Sequence, residues 1–318
     1  MTQKPIVLVT DDVHSMLLEG LQQLGYKVDY KPNLPYQDVF SIVHQYSGIV
    51  VNSKMKMTKE LMGLAPKMQF IARLGSGLEI IDLIAAKELG ISVFSAPEGN
   101  RNAVAEHALG QLLALANNLV LADGEVRNRE WNREKMRGWE LEGKSVGIIG
   151  FGNNGSTFAK KLSGFDVQVL AYDKYKVDYA REYSFVEECT SLDRLQDICD
   201  VISLHVPLDD STHYLVDSEF VKKCKDGVII INSARGKVVD TEALISGLSS
   251  GKIGGACLDV FENEKPSTFT DNESLMYQKL YDFDQVILSP HVAGWTVESK
   301  YKIASSLLAQ ISNLATRH

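Results

Sequence analysis

Short apolar runs bounded by turn chemistry recur along this sequence and leave it few folds. Residues 6–9, 48–51 and 70–72 form one series, separated by helix-like segments such as 14–24 and 59–64. A second series opens at residues 145–149 and continues through 167–172, 201–205, 228–231, 255–258 and 286–288. Runs this brief and this uniformly apolar lack the in-and-out alternation of a half-exposed sheet. They suit strands buried on both faces, which are parallel and joined by helices. The expected fold class is therefore α/β, with doubly wound parallel sheets.

Two series imply two domains, and a length of 318 residues lies where one hydrophobic core usually divides. Between them, residues 102–137 read as one long helical stretch, apolar at first and then densely charged, that bridges the domains. The tail, residues 297–314, places Tyr301, Ile303, Ala304, Leu307, Leu308, Ile311 and Leu314 on one broad helical face. Packed on the first block, it makes the chain cross twice, near Asn100 and near Gly294. The expected boundaries are 1–100 with 294–318 for one domain and 101–293 for the other.

Charge and cysteine usage narrow the functional classes. With 33 basic against 41 acidic residues, net charge -8, and no basic run, neither nucleic acid nor an anionic membrane is an expected partner. Cys189, Cys199, Cys224 and Cys257 form no CxxC pair and have no histidines at zinc-binding spacing, so no metal site or disulfide is expected. A reducing compartment, the cytoplasm, follows. The apolar run 6–9 is too short for a signal peptide, and the stretch 107–122 is broken by Gln111, Asn117 and Asn118, as a buried helix would be.

The most specific signal opens the second series. The strand-like residues 145–149 run into Gly150, Phe151, Gly152, Asn153, Asn154 and Gly155, with helix-like residues after them. Here Gly150 permits the tight turn, Gly152 lets backbone approach a pyrophosphate, and Gly155 lets helix and strand pack closely, while free N–H groups face the anion. The next strand ends at Asp173, where a carboxylate accepts from a ribose diol and repels a 2'-phosphate. NAD is the expected cofactor, although Lys174 and Lys176 follow immediately and would tolerate the extra phosphate.

Three further segments each follow an expected strand: Asn232, Ser233, Ala234, Arg235, Gly236; then residues 258–264 with Asp259, Glu262 and Glu264; then Ser289, Pro290, His291, Val292, Ala293, Gly294, Trp295. In a doubly wound sheet such tails converge outside the carboxyl ends of the strands. A 2-hydroxy acid needs a planar cation for its carboxylate, which Arg235 offers. It needs an acceptor for its hydroxyl proton, which His291 offers, and a carboxylate such as Glu264 to orient that ring. Glu262, two residues earlier, competes for that last role.

With Val104 to Gly110 ahead of them, these motifs resemble the D-isomer-specific 2-hydroxyacid dehydrogenases over nearly the whole chain. The resemblance implies a flavodoxin-like substrate domain and a Rossmann NAD-binding domain. It implies an Arg, Glu, His catalytic set at Arg235, Glu264 and His291. It further implies that His205 and Pro207 wall the adenine and that Thr212 offers a ribose-side hydroxyl, although Pro207 and Thr212 also suit a plain turn. Ser233, Ala234, Asp259, His291 and Gly294 would line the nicotinamide, with Asp259 accepting from the carboxamide. On the substrate side it implies Asn52, Ser53 and Lys54 as one wall, Ser76 and Gly77 as an anion nest, and Trp295 nearby.

The implied activity is hydride transfer between NAD and a D-2-hydroxy acid, with D-3-phosphoglycerate foremost and glyoxylate or hydroxypyruvate as the alternative. Phosphoglycerate dehydrogenases typically carry an arginine where this sequence has Asn52, leaving Lys54, Lys56 and Arg73 as the cations; Arg133 resembles a position that reaches a partner's site, although in a stretch carrying both signs it suits a solvated charge more readily. A homodimer is implied, contacting through the stretch that carries Trp131 and Trp139. No length remains after the closing helix for the serine-binding domain of longer relatives, so no serine feedback through one is expected. A relative that senses NADH as a transcriptional corepressor supplies the alternative of another class.

Overall fold

The computed structural model describes residues 4–315. The chain divides into two compact units, one running through residue 101 and resuming at Trp295, the other spanning Asn102–Gly294. Residues 1–3 and 316–318 of the expected first domain lie outside the described residues.

The first unit is built on five parallel strands, β1 (Ile6–Val9), β2 (Lys27–Tyr30), β3 (Gly48–Val51), β4 (Phe70–Arg73) and β5 (Ser92–Phe94), in the order β2-β1-β3-β4-β5. That is the flavodoxin-like order. Alternate residues of the central strands feed opposite faces. Leu8, Ile49, Val51 and Ile71 enter one core, while Val7, Val9, Val50, Phe70 and Ala72 enter the other. The second of these cores is closed by Leu17 and Leu21 of the helix Ser15–Gln23 and by Ala304, Leu307 and Ile311 of the helix Val297–Ala315. The first of these two helices begins one residue later than its sequence suggests, because the His14 ring accepts the Met16 amide at 3.2 Å as an N-cap.

The second unit carries seven parallel strands, β6 (Ser145–Ile149), β7 (Gln168–Tyr172), β8 (Val186–Glu188), β9 (Val201–Leu204), β10 (Val228–Asn232), β11 (Ile253–Leu258) and β12 (Val286–Leu288). Their order, β12-β11-β10-β9-β6-β7-β8, reverses direction between β6 and β9. A crevice outside the strand ends at that reversal is where doubly wound folds bind ligands. Three of the four edge strands, β2, β5 and β8, were not expected from sequence. Each is three or four residues long, and none contributes a fully buried residue.

The long helix expected over 102–137 is in fact two, Arg101–Ala116 and Leu119–Arg127. They are broken at Asn118, whose φ of 52° is left-handed, a conformation asparagine tolerates better than most residues. Trp131 and Trp139 lie beyond both helices. Trp131 is 76% exposed, whereas Trp139 packs against the hydrophobic core and its amide donates to the Ala116 carbonyl at the helix end at 2.9 Å. All four cysteines are unpaired and buried, and burial pushes the thiols of Cys199 and Cys224 up to about 12. Among the described residues no helix is long and apolar enough to cross a membrane, and no cluster of side chains is suited to a metal ion.

Candidate functional site

At the end of β6 the chain turns through Gly150, whose φ of +91° and approach to the His205 carbonyl, 2.5 Å from where a Cβ would sit, admit no side chain. A Cβ on Gly155 would run into the Gly150 carbonyl, so the helix Asn153–Leu162 packs directly on the strand. Gly152 differs: nothing in the protein lies within 4 Å of its absent side chain, which leaves open space over the turn. No side chain caps the helix and no acidic residue occupies its first turn, so its leading N–H groups remain available to an anion.

Beside this turn a cavity of about 330 Å³ is lined by Gly150, Gly152, Asp173, His205, Pro207 and Thr212. Burial holds the His205 ring well down, to about 4, so it is neutral near pH 7, and its Nε2 lies 2.9 Å from the Ser203 hydroxyl. Asp173 ties the walls together, one oxygen accepting the Phe151 amide at 2.9 Å and the other the amides of Tyr175 and Lys176 at 3.0 and 3.1 Å. The Lys176 ammonium is spent on the Phe151 carbonyl at 2.9 Å. Thr212 closes its own turn, donating to the Pro207 carbonyl at 2.7 Å and accepting the Asp209 amide at 2.8 Å. Sequence reasoning passed over Tyr175, Leu192 and Leu215, apolar liners that no motif marks.

The tails of β10, β11 and β12 carry the reactive side chains. Asn232 folds the first tail, accepting the Ala234 amide and donating to the Arg235 carbonyl, both at 3.0 Å. The Arg235 guanidinium donates to the Ala234 carbonyl at 2.7 Å. Glu264 meets Nδ1 of His291 at 2.8 Å and accepts the Phe261 amide at 3.4 Å. Its neighbour Glu262 is occupied elsewhere, taking the Thr241 amide and the Tyr214 hydroxyl, which leaves the His291 ring to Glu264.

Electrostatics couple these groups. The hydrogen bond that His291 donates to Glu264, reinforced by the carboxylate's charge, raises the His291 pKa above the ordinary 6.5 against the opposing effect of burial. Burial is the largest single influence on Glu264 and pushes it up. The hydrogen bond and charge of His291, the Phe261 amide and the Arg235 charge together outweigh it, so the net shift is downward. His291 itself has φ 57°, strained for a non-glycine residue.

Asp259, expected to meet a carboxamide, is 1% exposed and turned to the protein. Its carboxylate takes the Ser289 hydroxyl and the amides of Val292 and Ala293. Two polar atoms here lack partners and are buried, the Ser233 hydroxyl and the Asn154 carbonyl oxygen. An orphaned oxygen on the anion-ready turn, another on the β10 tail, and a cavity large enough for one half of it fit a dinucleotide.

The first unit holds the remaining expected residues. Asn52, Ser53 and Lys54 follow β3, where the Asn52 amide donates to Asp11 at 3.1 Å and the Lys54 ammonium lies 3.5 Å from the same carboxylate and on the Pro32 carbonyl. After β4, Gly75 turns with φ +133° and the Ser76 hydroxyl donates to Asn100 at 3.2 Å, with Gly77 next to it. Trp295 is exposed, and Gly294 ends the second unit.

Residues 109–293 match the family model described as the D-isomer specific 2-hydroxyacid dehydrogenase, NAD binding domain. D-3-phosphoglycerate dehydrogenase of Archaeoglobus fulgidus is 35% identical over 309 residues, covering 97% of this chain and 57% of that protein. Hydroxypyruvate reductase of Thermotoga maritima is 37% identical over 279 residues, 88% of each chain. This chain thus spans little more than half the length of the phosphoglycerate dehydrogenase and most of the reductase. Among solved structures, the D-lactate dehydrogenase of Aquifex aeolicus complexed with NAD and lactic acid is similar at a TM-score of 0.83 and 30% identity, covering 98% of this chain and 96% of that one. The glycine turn, the strand order and a family match over most of the second unit agree, and the chain belongs to the D-isomer-specific 2-hydroxyacid dehydrogenases, carrying that family's NAD-binding domain.

Proposed function

We propose that this chain interconverts a D-2-hydroxy acid and its 2-oxo acid, with D-3-phosphoglycerate and 3-phosphohydroxypyruvate as the leading pair. The observation that carries this reading is the Glu264–His291 pair at 2.8 Å, under the influence of the Arg235 charge, on adjacent strand tails. Bound in the cavity and along the glycine turn, NAD supplies the acceptor for the hydride that leaves C2. Arg235 fixes the substrate carboxylate with its planar fork. His291 takes the hydroxyl proton as C2 is oxidised and returns it to the 2-oxo oxygen in reduction. Glu264 on Nδ1 leaves Nε2 for the substrate and favours the imidazolium. Asp173 favours the ribose diol of NAD over a 2'-phosphate.

The first unit, in this reading, holds the substrate, with Asn52, Ser53, Lys54, Ser76 and Gly77 as its walls. Support for the phosphorylated substrate comes from the cations Lys54, Lys56 and Arg73 on these tails and from relatives bearing the phosphoglycerate dehydrogenase name. A second reading, reduction of hydroxypyruvate or glyoxylate, is favoured by the engagement of Lys54 with Asp11 and Pro32, which leaves less positive charge for a phosphate. Measuring kcat/KM with NAD or NADH across D-3-phosphoglycerate, hydroxypyruvate, glyoxylate and pyruvate decides between them. Absence of turnover on all four, with NADH still bound, would favour a sensor in place of an enzyme.

We also propose a homodimer. The helix Leu119–Arg127 has no buried residue and exposes Leu119, Val120 and Val126. Light scattering at the mass of one chain would overturn this. The unpaired cysteines support a reducing, cytoplasmic setting.

A further inference from the structure

Behind His291 lies a second layer of polar side chains with no part in the scheme above. Asp259 clamps the loop that carries His291 at four points. Its carbonyl accepts the His291 amide at 2.7 Å, one carboxylate oxygen accepts the Ala293 amide at 2.8 Å, and the other accepts the Val292 amide at 2.9 Å and the Ser289 hydroxyl at 2.5 Å. The Ser289 oxygen is in turn approached by Nε2 of His107 at 2.8 Å and Nε2 of Gln111 at 3.1 Å, side chains one turn apart on the helix Arg101–Ala116.

A serine hydroxyl owns one proton and two lone pairs. Its proton goes to the buried carboxylate, the strongest acceptor in reach, so both nitrogens must donate. Gln111 does so by its nature. His107 does so only with its proton on Nε2, and Ser289 therefore fixes the state of that ring. With either side chain removed, the hub loses a bond and the clamp on Val292 and Ala293 loosens. Because His291 adopts φ 57°, it relaxes unless the loop on both sides of it is held.

We propose that His107 and Ser289 are positioning residues for His291, acting through the Asp259 carboxylate. This rests on the reading of His291 as the proton carrier. The test uses the full chain and the variants Ser289→Ala, His107→Ala, His107→Gln and the double alanine variant. Loss of the hub should lower kcat by about ten- to a hundred-fold, the worth of a hydrogen bond to a charged group, while KM for the 2-oxo acid and the Kd for NADH stay within about twofold. His107→Gln, whose amide still donates, should recover most of the loss. The double variant should fall no further than Ser289→Ala alone, since both act along one path. Amide exchange at Val292 and Ala293 should quicken about tenfold in Ser289→Ala.

Unchanged kcat with unchanged exchange would overturn the proposal, as would losses that multiply or a His107→Gln variant no better than His107→Ala. If Ser289→Ala fails to fold, the two His107 variants decide. If the parent protein turns over no hydroxy or oxo acid, the proposed function falls, while exchange at Val292 and Ala293 still judges the clamp.

Discussion

In the second unit, polar side chains on neighbouring strand tails hold one another, Glu264 on His291 and Ser289 on Asp259. In the first unit the tails of β3 and β4 hold theirs against backbone or a local carboxylate: Lys54 on Pro32 and Asp11, Arg73 on the Leu74 carbonyl. Both sheets are parallel and deliver polar residues to the same ends of their strands. The difference lies in what those residues face. Groups that face one another set each other's charge, as the raised pKa of His291 and the lowered one of Glu264 record. Groups that face backbone shape a wall. The proposed function accordingly puts chemistry in the second unit and selectivity in the first.

Three substitutions sharpen or break that division. His291→Ala should cost about a hundred- to ten-thousand-fold in kcat, the range for losing a general acid–base, with the Kd for NADH nearly unchanged by fluorescence titration. A loss below about tenfold would remove chemistry from these tails. Asp173→Ala should move the ratio of NADH to NADPH affinities toward NADPH by about tenfold, since a hydrogen-bond acceptor and its charge both go. An unmoved ratio would mean that its three backbone amides are its whole role. Lys54→Ala, in the first unit, should raise KM for D-3-phosphoglycerate only about two- to fivefold, the worth of a partly exposed ion pair, and leave hydroxypyruvate unaffected. Equal effects on both substrates would make Lys54 a prop for Asp11 and not a phosphate ligand.

Much of the fold was legible because central parallel strands are buried on both faces and advertise themselves as apolar runs. The edges were not. β2 is Lys-Val-Asp-Tyr and β8 is Val-Glu-Glu, half-exposed segments whose pairing depends on a neighbour and not on their own composition. The helix break at Asn118 was legible in principle, since paired asparagines favour a left-handed stop, but the apolar flanks masked it. At the candidate site, sequence located three tails, and only the family's spacing from Asp259 chose Glu264 over Glu262. The physical ground for that choice lies in Tyr214 and the Thr241 amide, distant partners that claim Glu262. The inward turn of Asp259 was equally hidden, because its donors are backbone amides of a loop whose path no motif encodes.

The pH dependence of kcat/KM in the parent and in Glu264→Gln tests the central claim most directly. A base must be neutral to accept a proton, so hydroxy acid oxidation should rise with pH through the raised His291 pKa, above 6.5, and 2-oxo acid reduction should fall through it. The same raised pKa means that the pair's contribution to folding from His291 is present below 6.5 and fades as pH rises through the folded value. In Glu264→Gln both kinetic limbs should move to lower pH, toward 6.5. Limbs at the same pH in the two proteins would contradict the account, because proton transfer would then not depend on the carboxylate that meets the His291 ring.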